Sequence, residues 1–267
     1  MRQRPTAEAP TPAGGERASL SEETPAASLA ARWLATDQRS AEEQLAIDEA
    51  VLDEAELGLR HERTVRTWMA DEFVVIVGSS SRLETEVDMD ACRQAGVRVV
   101  RRPSGGATVV LGPGCVMWSV ITPYPHGTPS VDSLHAEALD PLCRGFAEEG
   151  LPVTRQGTSD LTLGAHKVSG NALRVRRRAV LYHGTLLDRF DLPKAMSLLK
   201  HPPREPSYRE GRPHTSFLTN LELGRERLEA LVRRAFQASL PAPDCDPERV
   251  AQLLKDRYHS VSWNERL

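Results

Sequence analysis

Val97-Arg98-Val99-Val100-Arg101-Arg102-Pro103-Ser104-Gly105-Gly106-Ala107-Thr108-Val109-Val110-Leu111-Gly112-Pro113-Gly114-Cys115-Val116-Met117-Trp118-Ser119-Val120-Ile121 is the stretch on which the fold turns. Three runs rich in β-branched residues, Val97 to Arg101, Thr108 to Leu111 and Val116 to Ile121, read as strands. Gly105-Gly106 and Gly112-Pro113-Gly114 punctuate them as turns. Strands this close, separated by glycines, place a loop with little side-chain bulk at a sheet edge.

Upstream, Ser40 followed by Glu43 reads as a capping box ahead of Leu45, Ile47, Val51 and Leu52, a helix that ends near Gly58. Thr64 to Met69 and Phe73 to Val77 read as two strands joined by a short acidic turn, followed by a helix from about Val87 to Ala95. Downstream, Leu134, Ala138, Leu142 and Phe146 repeat at helical spacing over residues 131–149, and strands dominate from Leu161 to Leu187. A short helix from Leu192 to Leu199, a Pro-rich connection and two helices, near Arg225 to Ala238 and Pro247 to Tyr258, complete the chain. This order predicts an α+β fold, a mixed sheet with flanking helices, and not a doubly wound parallel sheet. No GxGxxG or P-loop spacing occurs.

Composition sets outer bounds. The 267 residues suffice for one main domain, and 40% hydrophobic with 27% charged residues is ordinary for a globular protein. No apolar run reaches the roughly 18 residues of a membrane span, so a soluble protein is expected. A net charge of -3 argues against a general nucleic-acid binder. Cys92, Cys115, Cys143 and Cys245 have no metal-site spacing, which fits reduced thiols in a cytoplasmic protein. Residues 1–30, rich in Pro and Ala, are expected to form a disordered tail ahead of a catalytic domain spanning 31–267.

Three stretches carry chemistry. In the first, Gly105 and Gly106 let backbone N–H groups approach a phosphate or carboxylate, with Ser104 offering a hydroxyl and Arg102 a charge. A plain hairpin turn is the alternative. In the second, Gly157-Thr158-Ser159-Asp160-Leu161 precedes His166-Lys167-Val168-Ser169-Gly170-Asn171-Ala172. If 167–171 is extended, Lys167, Ser169 and Asn171 share a face, and Lys167 could clamp an anion or be a solvated surface lysine. The third, Leu181-Tyr182-His183-Gly184-Thr185-Leu186-Leu187, sets a histidine and a glycine in an apolar strand, where a core histidine is the ordinary reading.

Arg101-Arg102-Pro103-Ser104-Gly105-Gly106, Lys167-Val168-Ser169-Gly170-Asn171-Ala172 and His183-Gly184-Thr185-Leu186-Leu187, in this order, resemble the lipoate–protein ligase family. The similarity runs from about Ala41 to Leu221. The family sits with biotin ligases and octanoyltransferases, so the resemblance implies a class II synthetase and biotin ligase-like catalytic domain. It also implies ATP with Mg2+ as cofactors, lipoate or octanoate as substrate, lipoyl-AMP as intermediate, and transfer to a lysine; no other metal is expected. By position it makes Lys167 the catalytic lysine touching the lipoyl carbonyl and adenylate phosphate, and Arg102 a nucleotide contact. Ala107, Thr108, Val109 and Val110 would line the pocket. Asp160 would bind a ribose, order Lys167 or cap a turn. Ser104, Gly105, Gly106, Ser169, Gly170, Ala172, His183, Gly184 and Thr185 complete the implied binding set.

The chain departs from the family pattern at Ala107, which replaces the third glycine of Ser-Gly-Gly-Gly, and at Leu111, where many relatives have histidine. Gly112-Pro113-Gly114 also resembles the His-Gly-Pro-Gly segment of octanoyltransferases, so an ATP-independent octanoyl- or lipoyltransferase is the runner-up, with a non-catalytic lipoyl-binding module third. Cys115 is the one thiol near the glycine loops, with a buried structural role the commoner case for such a residue. The implied partners are a lipoyl-acceptor domain or H-protein-like acceptor and an accessory subunit, with no nucleic acid and no membrane. Arg174, Arg176, Arg177 and Arg178 form a basic run that reads as a solvated face or as a docking patch for an acidic acceptor.

Overall fold

The computed structural model describes residues 30–36, 38–201 and 205–266. The expected disordered tail, 1–30, lies outside the described residues except for Ala30. After a short strand β1 (Ala31–Trp33), helix α1 (Ala41–Glu56) opens on Ser40, whose hydroxyl accepts the Glu43 amide while the Glu43 carboxylate returns to the Ser40 amide. The helix is buried on nearly every side: Leu45, Ala46, Ala50, Val51 and Leu52 are at most 1% exposed. Burying each large aliphatic side chain there contributes about 1.5–3 kcal/mol.

Strands β2 (Arg63–Met69), β3 (Val74–Val77), β4 (Arg98–Arg101), β5 (Val109–Leu111) and β6 (Cys115–Pro123) follow, with short helices α2 (Leu83–Glu86) and α3 (Met89–Gln94) between β3 and β4. Helix α4 (Val131–Glu148) leads to β7 (Val153–Gln156), β8 (Asp160–Leu163), β9 (His166–Ser169), β10 (Asn171–Val175) and β11 (Ala179–Leu187). The chain ends through α5 (Leu192–Met196), α6 (His214–Phe217), α7 (Arg225–Ala235), β12 (Leu240–Pro241), α8 (Pro247–Leu253), a π-helical turn (Leu254–Tyr258) and α9 (Val261–Asn264).

Among the described residues the main sheet runs β10-β11-β6-β2-β1-β12, with parallel pairing only at β1–β2 and β1–β12. Two three-stranded sheets, β4-β3-β5 and β7-β8-β9, flank it. The mixed α+β class read from the sequence is what forms. The two runs joined by the acidic turn both form strands but do not pair with each other: β2 pairs with β1 and β6, whereas β3 pairs parallel with β4 and antiparallel with β5. Both edges of β2 are taken, by β1 and β6, and Val74 to Val77, buried on both faces, form the middle strand of a separate sheet. The C-terminus is also richer than two helices, since β12 and α9 are added.

No helix among the described residues is long and apolar enough to cross a membrane. Helices α4 and α7 cover one face of the main sheet, and Gly145 lets Leu231 approach to 3.1 Å of where a Cβ would stand. Helix α1 and the C-terminal turns pack against strands β6 and β11 and against each other.

Candidate active site

A cavity of about 310 Å3 opens where the main sheet, the β4-β3-β5 sheet and the β7-β8-β9 sheet meet. The three motif stretches converge on it. The glycine loop contributes Arg102 and residues 106–110, the β9–β10 corner Lys167 and residues 170–172, and β11 residues 183–185; Asp160 on β8 also faces it. Ser104, Gly105 and Ser169 lie behind this lining.

The glycine loop is held from beneath. Gly106 has φ +88, a conformation L side chains rarely adopt, and Gly78 packs so closely that a Cβ there would stand 1.9 Å from the Gly106 carbonyl oxygen. The Arg102 guanidinium is buried and donates to the carbonyls of Ile76 (3.1 Å), Gly105 (2.6 Å) and Ala107 (2.9 Å) and to Ser104 Oγ (3.0 Å). Burial pushes it down to about 10, so it stays charged at neutral pH. Glu86 accepts both the amide and the hydroxyl of Thr108 at 2.8 Å, fixing the far end of the loop.

Lys167 owes its place to a break between sheets. Strand β9 belongs to one sheet and β10 to another, and Gly170 sits at the crossing, where a Cβ would lie 3.0 Å from Lys167 Nζ and Cε. The ammonium therefore folds over Gly170 and pairs with Asp160 Oδ1 at 2.8 Å, side chains only 24% and 13% exposed. Tyr208 donates to Asp160 Oδ2 at 2.7 Å. Ser169 and Asn171 are joined side chain to side chain at 3.1 Å, and Asn171 Nδ2 holds the Ser159 carbonyl at 2.7 Å.

Gly184 faces this corner. A Cβ at Gly184 would stand 1.6 Å from Asn171 Oδ1, so Gly184→Ala must displace the amide that joins the β8 and β10 ends. Overpacking of this kind costs about 1–3 kcal/mol. The expected result is a lower urea midpoint; a variant as stable as the parent would contradict this geometry.

Beneath His183 runs a buried polar array. Ser104 Oγ, which accepts from Arg102, lies 2.6 Å from His183 Nε2. Burial holds the imidazole below its ordinary pKa, and the Asp48 carboxylate, with Oδ2 3.9 Å from Nδ1, favours the neutral ring's proton on Nδ1, so that Nε2 accepts from Ser104. Asp48 Oδ1 accepts from Arg66 Nη1 (2.7 Å) and Ser119 Oγ (2.8 Å). Burial opposes ionisation of Asp48, but Arg66, His183 and Ser119 outweigh it and hold the carboxyl below its ordinary value. Asp48 and Arg66 were not singled out in the sequence, because one reads as a helix polar face and the other as an alternating strand charge.

Residues 206–218, read from sequence as a mere connection, supply the outer wall through Pro206, Arg209, His214 and Phe217. The Arg209 guanidinium lies over the Phe217 ring at 4.9 Å. Burial first, then Arg209, His201 and Lys167, push His214 down to about 4. His183 and His214 are thus both depressed below the roughly 6.5 of an unfolded histidine. The unfolded chain then binds more protons than the folded one between about 6.5 and 4, so stability falls as pH drops through that window. Urea midpoints measured from pH 7 to 4 should decline, and His214→Asn should flatten part of the decline; an unchanged profile in that variant would contradict the His214 environment.

None of the four cysteines lines the cavity, and burial pushes the Cys115 thiol up to about 12. Among the described residues no three His, Cys, Asp or Glu side chains group to hold a metal.

Comparison with known proteins places this architecture. An Aeropyrum pernix protein carrying the name lipoate-protein ligase A is 35% identical over 144 residues, 54% of this chain and 52% of that protein. This chain thus aligns to about half of that relative's length. Octanoyltransferase LipM of Symbiobacterium thermophilum is 26% identical over 275 residues, covering 88% of this chain and 98% of that one. Among solved structures, a bi-partite lipoate protein ligase of Thermoplasma acidophilum, described with its E2 lipoyl domain, superposes with a TM-score of 0.74 at 21% identity, covering 89% and 96% of the two chains. The family model described as the lipoyl protein ligase A/B catalytic domain matches residues 40–238 and so takes in the glycine loop, Lys167 and His183; the chain belongs to that family.

Proposed function

We propose that this protein joins a medium-chain acid, lipoate or octanoate, to a lysine of an acceptor protein after activating it with ATP. The observation that carries the reading is the half-buried Lys167 ammonium on a cavity that Leu45, Ile76, Met117, Leu187, Phe190 and Met196 also line, with no thiol along it. A covalent relay would need a nucleophile in contact with the acyl carbon; of the loop hydroxyls, Ser104 is fully buried behind the lining and Thr108, on the lining, is spent on Glu86 at 2.8 Å. Direct attack on an activated acyl group fits this arrangement.

In the first step a carboxylate oxygen attacks the α-phosphorus of ATP and pyrophosphate leaves. Lys167, released from Asp160 to the incoming anions, stabilises the charge that builds on the carboxyl and phosphoryl oxygens. In the second, the neutral amine of the acceptor lysine attacks the carbonyl, the acyl–phosphate bond breaks, AMP leaves and a proton passes to solvent. Mg2+ enters on the triphosphate, as is usual for this ion. The acceptor of this reading is a lipoyl domain or a similar small protein. Exposed Arg174, Arg177 and Arg178 offer it a cationic surface, whereas Arg176 is tied to Asp53 at 3.2 Å. An acidic acceptor should lose affinity as salt rises from about 0.05 to 0.3 M; a salt-independent KM would count against this surface.

Pyrophosphate release from ATP, followed with lipoate or octanoate present and absent, tests the activation step. Acid-dependent release supports the ligase. The second reading, an ATP-independent octanoyltransferase, is favoured by the near full-length match to LipM; it predicts no release and transfer from an acyl carrier protein. Release that appears only with an added accessory chain would assign activation to a two-part enzyme.

A further inference from the structure

The matched family region stops at residue 238, yet the last turns of the chain are bonded to the segments that support the glycine loop. The π-helical turn anchors on α1: Tyr258 donates to Glu49 Oε2 at 2.7 Å, and Arg257 pairs with the same carboxylate. From that anchor α9 runs beside β4, an edge strand of its sheet. Asn264 Oδ1 accepts the Arg101 amide (2.9 Å) and Trp263 Nε1 donates to the Arg101 carbonyl (2.9 Å), so side chains complete the open edge.

The Arg101 side chain then carries the connection inward. It is fully buried, does not line the cavity, and donates to the Arg266 carbonyl (2.6 Å) on one side and to the carbonyls of Gly78 (2.7 Å) and Ser81 (2.8 Å) on the other. Arg266 adds a bond to the Ser79 carbonyl (3.1 Å), and its guanidinium stacks 3.7 Å from the Trp263 ring. Gly78 is the residue that packs on the Gly106 carbonyl, Ser81 Oγ donates to that carbonyl at 3.2 Å, and the Ser79 amide holds the Ser104 carbonyl at 2.9 Å. An unbroken line of contacts thus joins the C-terminal turns to the glycine loop.

We infer that residues 257–266 form a strap that holds the 78–81 and 101–106 loops in their substrate-binding conformation, with Arg101 as a positioning residue. The substrate rests on the function proposed above; the strap itself rests on these bonds. A loop already ordered binds without the cost of ordering it, so loosening the strap weakens binding more than it slows chemistry.

The test uses the full chain with Trp263→Leu, Trp263→Phe and Asn264→Ala. Hydrogen–deuterium exchange of residues 78–81 and 101–110, without substrate, should quicken about tenfold in Trp263→Leu and Asn264→Ala, with β6 and α4 unchanged. Trp263→Phe, which keeps the stacking and loses only the N–H, should fall between these and the parent. In acid-dependent pyrophosphate release, KM for ATP should rise about five- to twentyfold with kcat within about twofold. Unchanged exchange in 101–110, or a fall in kcat with unchanged KM and faster exchange everywhere, would overturn the strap. The exchange arm needs no substrate, so it judges the strap even if the parent releases no pyrophosphate, a result that would count against the proposed function alone.

Discussion

Lys167→Ala is expected to lower acyl transfer by about 10²–10³-fold while leaving the fold in place. The size follows from losing one preorganised charge at a site where charge develops on oxygen, a loss that typically costs about 2.7–4 kcal/mol of transition-state stabilisation. The fold survives because Asp160, left without its ion pair, still accepts from Tyr208 and is not fully buried. Lys167→Arg should recover little, since the ammonium folds over Gly170, 3.0 Å from where a Cβ would stand, and a planar guanidinium has no room to do the same. Steady-state kinetics with circular dichroism as the fold control checks this. A variant within about threefold of the parent would remove Lys167 from the mechanism.

Asp48→Ala carries the largest expected loss of stability, about 3–5 kcal/mol, because it strips a fully buried guanidinium of its carboxylate. Arg66 is 0% exposed and would keep only the Gln44 and Thr36 oxygens. Ser119 would lose its acceptor as well, and the His183 Nδ1 proton would face no charge. Urea denaturation measures the loss. Replacing both partners with apolar residues, Asp48→Leu with Arg66→Met, should cost less than Asp48→Ala alone, because no orphan charge remains. A single variant within about 1 kcal/mol of the parent would contradict the array.

Much of this architecture is legible in the chain because local signals and tertiary packing agree. Ser40 and Glu43 mark the start of α1 and form the capping box in the structure. Gly105-Gly106 and the valines around them mark strand, loop and strand, and that is the order of β4, the glycine loop and β5. The partners of β2 and β3 are not legible, because a short turn between two strand-like runs is compatible with pairing or with divergence, and the outcome is set by β1 and β6 taking both edges of β2. Lys167 to Asn171 reads as one strand, yet the chain changes sheets at Gly170; alternation cannot reveal which partner each half finds.

The site behaves the same way. Residues at the glycine loop, on β9 and on β11 carry motifs, and the cavity brings most of them together. What the motifs do not carry is support: Asp48 lies 135 positions before His183, and Arg101 meets Gly78, 23 positions earlier, and Arg266, 165 positions later. Such contacts depend on non-local pairing, which no local spacing encodes. Residues 206–218 escaped notice for another reason. Their prolines and charges read as a connection, and only the packed chain shows that Phe217 and Arg209 form a wall.

The central claim is ATP-driven acylation of an acceptor lysine at the Lys167 site, and intact-mass analysis of a purified lipoyl domain after incubation with this protein, ATP and octanoate or lipoate tests it most directly. The account predicts one acyl group added at a single lysine, absent without ATP and absent with Lys167→Ala. Acylation that ignores ATP and requires an acyl carrier protein, or that persists in Lys167→Ala, would contradict it.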